Sequence, residues 1–360
     1  MKHLIVDIAS QLNTNSFVSV PEPEMLPIAA ITLTLNNIIK VFNLYKCNHI
    51  VICCEGGSWR NAVYPQYKAH RKLKKLQRTE KEKEESRYFF NETDKFISLL
   101  KERTNATVLK TSMVEGDDFV ARWVDTHPND EHVILSGDSD FIQLLSDNVD
   151  IYNPSGKYLL TKDYALNDEG SYAYIEKTVT EVKNGIKVKM KKSFPVPVPN
   201  PEYELFKKCI RGDSSDNIMS AYPKCREKST KNKIGIEEAF EDRFNKGIHW
   251  NMFMLAEWDK VVDKDSEGNP IIKKVKVIDE YHINEELINL RKQPSDIIDI
   301  MDKVIHEEEN KPRRTAVGID FIKICNEINL PKIKENLVEF ARPFNYGAKE
   351  YGSKNIKLNS

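Results

Sequence analysis

Three short apolar runs in this chain each lead into acidic residues. Leu4-Ile5-Val6 is closed by Asp7, Ile50-Val51-Ile52-Cys53-Cys54 by Glu55, and Val133-Ile134-Leu135 passes through Ser136-Gly137 to Asp138 and Asp140. Short runs this rich in β-branched residues predict strands, here over Leu4–Ile8, His49–Cys54, Thr107–Leu109, Val133–Ser136 and Val149–Tyr152. Between them, helical periodicity covers Ile28–Phe42, Thr79–Lys101, Asp117–Trp123 and Phe141–Leu145. Strands separated by helices predict an α/β fold with a doubly wound, mostly parallel central sheet. Ligands bind such sheets beyond the carboxyl ends of the strands, so these acids are expected along one rim.

Two further acidic groups join them. Glu115, Asp117 and Asp118 stand where Met113-Val114 enters a helix, and Asp213 and Asp216 share the stretch Arg211-Gly212-Asp213-Ser214-Ser215-Asp216-Asn217. Taken singly, most of these acids have plainer explanations. Acids in a first helical turn cap it and favour its dipole, acids after a strand serve turns, and Asp213 and Asp216 suit a solvated loop. Asp7 and Glu55 resist that reading, because an acid closing an apolar central strand is costly to desolvate. Together, these groups would repel one another unless cations neutralised them. Oxygen donors without His or Cys favour two Mg²⁺ ions, with Mn²⁺ as a substitute, and such a pair suits phosphodiester hydrolysis.

Net charge is −1, so no overall positive field draws in a polyanion, and any such binding rests on local segregation. That segregation begins just after Glu55. Arg60, Lys68, Arg71, Lys72, Lys74 and Lys75 are interleaved with Trp59, Tyr64 and Tyr67, the mix expected where phosphates are gripped and a base is stacked. Lys68 and Arg71, three apart, would share a helix face and suit a scissile phosphate. Thr79–Glu85, where charge signs alternate, reads as an ordinary solvated helix.

Beyond Asp168 the character changes. Tyr172–Lys192 alternates apolar and charged residues around Asn184-Gly185, a type I′ hairpin signal. Pro195-Val196-Pro197-Val198-Pro199-Asn200-Pro201 reads as an extended linker. Helical patterns follow, interrupted near Val261–Ile278 by a second hairpin signal, and residues from Ala341 read as a mobile tail. No run of about eighteen apolar residues stands out, so no membrane span is expected, and strand character from His3 leaves no room for a signal peptide. Cys47, Cys53, Cys54, Cys209, Cys225 and Cys325 lack metal-ligand spacing and read as reduced thiols of a cytoplasmic protein.

With these residues assembled, the chain resembles the 5′-nuclease (flap endonuclease) family, most nearly its ribonuclease H / 5′→3′ exonuclease members from T-even bacteriophages. The motifs are Leu4-Ile5-Val6-Asp7, Cys54-Glu55 with Trp59-Arg60, Tyr64-Pro65-Gln66-Tyr67-Lys68-Ala69-His70-Arg71, Val114-Glu115-Gly116-Asp117-Asp118, Ser136-Gly137-Asp138-Ser139-Asp140-Phe141, and the Asp213–Asn217 element. The resemblance implies a PIN-like catalytic domain over 1–202, with a helical arch near 67–90 and an inserted hairpin near 170–192. It also implies a smaller, mainly helical nucleic-acid-binding domain over 203–340. Asp7, Glu55, Glu115, Asp117, Asp118, Asp138, Asp140, Asp213 and Asp216 would hold two Mg²⁺. Lys68 and Arg71 match positions at the scissile phosphate, and Tyr67 a base-stacking position.

Two departures accompany the likeness. Glu55 stands where the family usually has Asp, and the glycine-rich, potassium-binding hairpin expected after Asn217 is poorly preserved. Duplex grip is therefore expected from Lys224, Arg226, Lys228, Lys231 and Lys233. The implied activity is 5′→3′ exonuclease with flap endonuclease, on DNA and RNA–DNA duplexes with 5′ ends or flaps, removing primers in lagging-strand replication or repair. A monomer is expected, in the host cytoplasm if the chain is a phage's, with a single-strand-binding protein or sliding clamp as partner. Two alternatives compete: a PIN-type single-strand endoribonuclease, and a non-catalytic nucleic-acid-binding subunit.

Overall fold

The computed structural model describes residues 1–183 and 186–347. Two compact units are interleaved in sequence. The first comprises Met1–Ser58, Arg78–Val198 and the chain from Ser295, the second Trp59–Gln77 and Pro199–Pro294. The expected linear division near residue 202 therefore gives way to a chain that returns to its first unit. The cause is apolar: Val317, Phe321 and Ile324 are buried in the same core as Leu4, Val6 and Ile50.

The first unit is built on a seven-stranded sheet of β1 (Lys2–Asp7), β2 (His49–Cys53), β3 (Thr107–Leu109), β4 (Glu131–Leu135), β5 (Val149–Asn153), β6 (Tyr158–Leu160) and β7 (Ala165–Asn167). The spatial order is β3-β2-β1-β4-β5-β6-β7. The strands from β1 to β5 pair in parallel, while β6 and β7 add antiparallel edges. β2 is buried at every position and β1 at all but its first, which is why both read as unbroken apolar runs rather than alternating ones. The strand order reverses between β1 and β4, and such a switch point leaves a crevice beyond the carboxyl ends of its two strands.

Helix Leu26–Leu44 starts on Pro27, whose fixed φ suits a first turn, and buries nine residues including Ile31, Leu35, Ile38 and Phe42. The segment Pro23–Leu44 is long and apolar enough to cross a membrane by length and composition alone. This corrects the expectation that no such run exists. Half of its most apolar eighteen-residue window is buried inside the fold, as a core helix requires.

Helix Glu80–Arg103 begins at Thr79 in a reciprocal capping box with Glu82, and it buries Thr93, Phe96, Ile97, Leu99 and Leu100 in its second half. The tail expected from Ala341 is also corrected. Phe344 is fully buried, 5.4 Å from the Phe321 ring, and the Tyr346 carbonyl lies 2.9 Å from His49 Nδ1. Residues 348–360 lie outside the described residues.

A two-stranded ribbon, β8 (Tyr174–Lys183) with β9 (Ile186–Pro195), rises from the β7 edge, where Ala173 N–H donates to the Ala165 carbonyl. The Asn184-Gly185 turn itself lies outside the described residues.

The second unit contains helices Pro201–Arg211, Ile236–Glu241, Ile248–Met254 and Val277–Ile288, with a ribbon of β10 (Glu257–Lys264) and β11 (Pro270–Lys276). Its core gathers Phe206, Ile210, Phe240, Phe253, Met254 and Val277. Helix Pro201–Arg211 is capped by Asn200 and stops at Gly212, whose φ of +73° favours glycine.

Candidate active site

In the first unit, the sheet brings seven of the nine expected acids to elements that end at its carboxyl rim. Asp7 ends β1 and caps the helix Ile8–Asn15, its Oδ1 accepting from Ser10 N–H at 3.0 Å. Glu55 follows β2, and Asp138 and Asp140 follow β4. Glu115 is the N-cap of helix Gly116–Thr126, with Asp117 and Asp118 in its first turn. Asp7, Glu55 and Asp138 thus come from three adjacent strands, and Asp7 and Asp138 flank the switch point.

Local contacts fix this rim. Ser136 Oγ donates to Asp7 Oδ2 at 2.9 Å and accepts from Asp138 N–H at 3.1 Å. Asp138 Oδ1 accepts from Asp140 N–H at 2.9 Å, and Ser58 Oγ donates to Glu115 Oε2 at 2.6 Å. Gly116 N–H reaches Glu55 Oε2 at 3.4 Å, so a carboxylate from another strand faces the positive end of this helix. Ser10, Ser58 and Ser136 carried no signal of their own in the sequence, although Ser136 sits inside the Ser-Gly-Asp motif.

Gly56 makes the geometry possible. A Cβ there would fall 1.9 Å from the Thr111 carbonyl oxygen and 2.6 Å from that of Val114. The loop after β2 therefore presses against the loop that delivers Glu115. Because the obstacles are backbone atoms, Gly56→Ala is expected to cost about 3 kcal/mol and to move Glu55 away from Glu115. Urea unfolding measures the first effect and metal affinity the second. A variant with unchanged midpoint would show that the two loops yield.

The electrostatics of the rim turn on Asp7. It is 6% exposed, and burial pushes its carboxyl up to about 6, with the Glu55 and Asp138 charges pushing the same way, against hydrogen bonds from Ser10 and Ser136. Asp118 is fully buried and Glu115 only 4% exposed. Among the described residues, no three His, Cys, Asp or Glu side chains already form an ion cage. The donor set nonetheless fits a hard divalent cation. It is all oxygen, and its central carboxylate is desolvated beside two like charges.

The second unit holds a different cluster. Asp216 accepts from Arg71 Nη2 at 2.7 Å and from Tyr67 Oη at 3.0 Å, with Lys68 Nζ at 3.8 Å. Lys68 precedes the helix Ala69–Leu76 in a left-handed conformation (φ 53°), so it meets Asp216 from the helix entrance and not from a face shared with Arg71. Asp213 pairs with Lys208 at 2.7 Å. Burial works to raise its pKa, but Lys208 and the Ser215 hydroxyl outweigh it and hold the carboxyl down at about 2.

Two expected nucleic-acid contacts are corrected. Tyr67 is 3% exposed, packed with Cys209, Ile218, Leu287 and Ile288, which leaves no open ring face for a base. Arg60 is 2% exposed, and its Nε donates to the Leu287 carbonyl at 2.7 Å while its guanidinium lies over Trp59. Both side chains serve the core of this unit. Lys72, Lys74, Lys75, Lys224, Arg226 and Lys228 are all exposed.

Residues 2–177 match the family model of the 5′→3′ exonuclease N-terminal, resolvase-like domain. Among solved structures, the bacteriophage T5 flap endonuclease, crystallised as a pseudo-enzyme–product complex with DNA and metal ions, is 15% identical, with a TM-score of 0.50. That match covers 95% of this chain and 100% of that one. The T5 5′-exonuclease with bound zinc is 17% identical with the same coverage, at a TM-score of 0.47. At such identities the first likeness speaks for the fold, while the motif-bearing N-terminal half carries the assignment. Residues 2–177 thus carry the N-terminal, resolvase-like domain of the 5′→3′ exonuclease family.

Proposed function

We propose that the protein is a divalent-metal-dependent 5′→3′ exonuclease with flap endonuclease activity, removing RNA primers or 5′ flaps during DNA replication or repair. The observation that carries this reading is Asp7. It is a nearly buried carboxylate at the switch point of a parallel sheet, with Glu55 and Asp138 as its charged neighbours. Asp7, Glu55, Glu115, Asp117, Asp118, Asp138 and Asp140 are the residues of the first unit that would hold Mg²⁺. Bound there, the ions lower the pKa of water and offset charge on the attacking and leaving oxygens.

The chain's own groups do the rest. Ser136 and Ser10 fix the Asp7 carboxylate, and Ser58 orients Glu115. Lys68 and Arg71 carry the charge that would offset a phosphate, and both are held in place by Asp216. Support for a DNA substrate comes from the T5 flap endonuclease, which was crystallised with DNA and metal ions.

The test uses a 5′-labelled flap on duplex DNA and the same duplex carrying a 5′ RNA primer, with and without Mg²⁺. Mg²⁺-dependent release near the 5′ end, lost in Asp138→Asn, is the expected result. Cleavage of unstructured RNA irrespective of its 5′ end would instead support a PIN-type endoribonuclease. Salt-sensitive binding without any cleavage would leave a non-catalytic subunit.

A further inference from the structure

The ribbon β8–β9 plays no part in the site described above, and its construction is unusual. Each strand runs ten residues, so at about 3.4 Å per residue the ribbon reaches roughly 30 Å. Among its described residues none is buried, and the partly covered ones, Ile175, Val179, Glu181 and Met190, all share one face. A two-stranded hairpin exposed on both faces is marginally stable in water, so it gains from a partner.

Charge says which partner. Tyr172–Pro195 holds six lysines against two glutamates, in a chain whose net charge is −1. Cross-strand register then sorts the side chains, because residues paired directly opposite share a face. One face pairs Ile175 with Phe194, Lys177 with Lys192 and Val179 with Met190. The other pairs Thr178 with Lys191 and Thr180 with Lys189, preceded toward the base of the ribbon by Glu176 beside Ser193 and by Tyr174 beside Pro195.

That second face presents hydroxyl and ammonium donors in a two-by-two array. These are the groups that proteins use on phosphate and sugar oxygens rather than on base edges. Lys191 has an exposed salt bridge to Glu176 at 3.2 Å, a contact weak enough for a phosphate to replace. A two-stranded ribbon also fits the major groove of B-DNA, and this one's reach is close to a helical turn of about 34 Å.

We infer that the β8–β9 ribbon is a duplex-binding arm. Its Thr178, Thr180, Lys189 and Lys191 face grips the phosphate backbone without reading sequence. The inference deepens the nuclease reading by naming a contact to the double-stranded part of the substrate, and it rests on that reading for its biological sense.

Its test needs no catalysis. The full-length protein and a Lys189→Ser/Lys191→Ser variant are titrated with a labelled thirty-base-pair duplex in EDTA, across a range of KCl concentrations. Two lost phosphate contacts should flatten the slope of log K against log salt by about 1.8, and weaken binding by roughly tenfold or more near 0.1 M salt. A Lys189→Arg/Lys191→Arg variant should retain the wild-type slope, which separates lost charge from a collapsed ribbon. Unchanged affinity and slope in the serine variant would overturn the inference and point to an acidic protein as the ribbon's partner. Since metal is absent, a wild-type protein that fails to cleave in Mg²⁺ would sink the nuclease reading while leaving this result readable.

Discussion

Replacing Asp7 by Asn is expected to lower cleavage by about a thousandfold and, at the same time, to stabilise the metal-free protein. The two effects share one cause. Asp7 is nearly buried beside two like charges, so its carboxyl titrates at about 6 instead of near 3.8. A group whose folded pKa is raised favours the protonated folded state. Its stabilising contribution is therefore complete below the unfolded value and lost as pH rises toward 6. At pH 8 the ionised carboxylate costs about 3 kcal/mol relative to a neutral group.

Asn removes that cost and keeps the shape. Its oxygen can still accept from Ser10 N–H, and its amide can face Ser136 Oγ, whose hydroxyl rotates. What it loses is the negative charge that attracts a divalent ion, and a loss of about 4 kcal/mol in transition-state stabilisation corresponds to the thousandfold drop. Thermal unfolding at pH 8 checks both halves. Without metal the variant should melt higher than the wild type. With millimolar Mg²⁺ the wild type should gain stability, because an ion that binds only the folded state shifts the equilibrium, while the variant gains little. A variant that cleaves normally, or that melts lower without metal, would remove Asp7 from the centre of the site.

The second large effect lies at the other end of the same strands. His3, His49 and His132 occupy matched positions on β1, β2 and β4, paired in register across the sheet. All three are buried at about 1% exposure or less. Trp123 Nε1–H donates to His3 Nδ1 at 2.8 Å, which requires that nitrogen to be unprotonated, and His132 Nε2–H donates to the His127 carbonyl at 3.0 Å. His49 is fixed between the Tyr346 carbonyl and Thr107 Oγ1. Burial and mutual repulsion lower His3 strongly, and burial above all lowers His49 and His132 to about 4.

A histidine lowered in the folded state lets only the unfolded chain take up a proton between 6.5 and 4. Stability therefore falls as pH falls through that window, by about 3 kcal/mol per residue at pH 4. Asp7 and Asp150, both raised to about 6 chiefly by burial, act in the opposite sense and return about 2.5 kcal/mol each by pH 4. His127 adds to that side: burial lowers it, but Glu309 at 2.8 Å and the Trp123 carbonyl prevail and raise it.

The metal-free wild type should thus lose roughly 3 kcal/mol on going from pH 7 to 4. In a His49→Asn/His132→Asn variant the slope should flatten markedly, because His3 and depressed carboxylates such as Asp213, Glu227 and Glu238 are then left to oppose the raised acids. Urea midpoints across this range decide the matter. A wild-type midpoint that stays flat or rises on acidification would show that the histidine row is not buried as described.

Much of this was legible in the sequence, and the reason is locality. An unbroken apolar run marks a strand buried on both faces, and a residue at its carboxyl end must lie at the rim of a parallel sheet. Asp7, Glu55 and Asp138 could therefore be placed from runs of a few residues each. The capping box at Thr79, Pro27 in a first turn and the paired stretches flanking Asn184-Gly185 are local in the same way.

What depended on pairing between distant segments was not legible. Tyr67 and Arg60 looked exposed because cations surround them in sequence, yet Leu287 and Ile288, more than two hundred residues later, bury them. The tail from Ala341 looked mobile because its composition is polar, and a single aromatic, Phe344, overrides that by filling the core beside Phe321. Three histidines in separate runs carry no signal until register aligns them, and Ser136 becomes part of the site only because β4 lies beside β1. The chain itself determined which residues bear charge and where each strand stops. The tertiary structure decided which of those charges lose their water, because desolvation depends on every segment packed around a group and not on its neighbours in sequence.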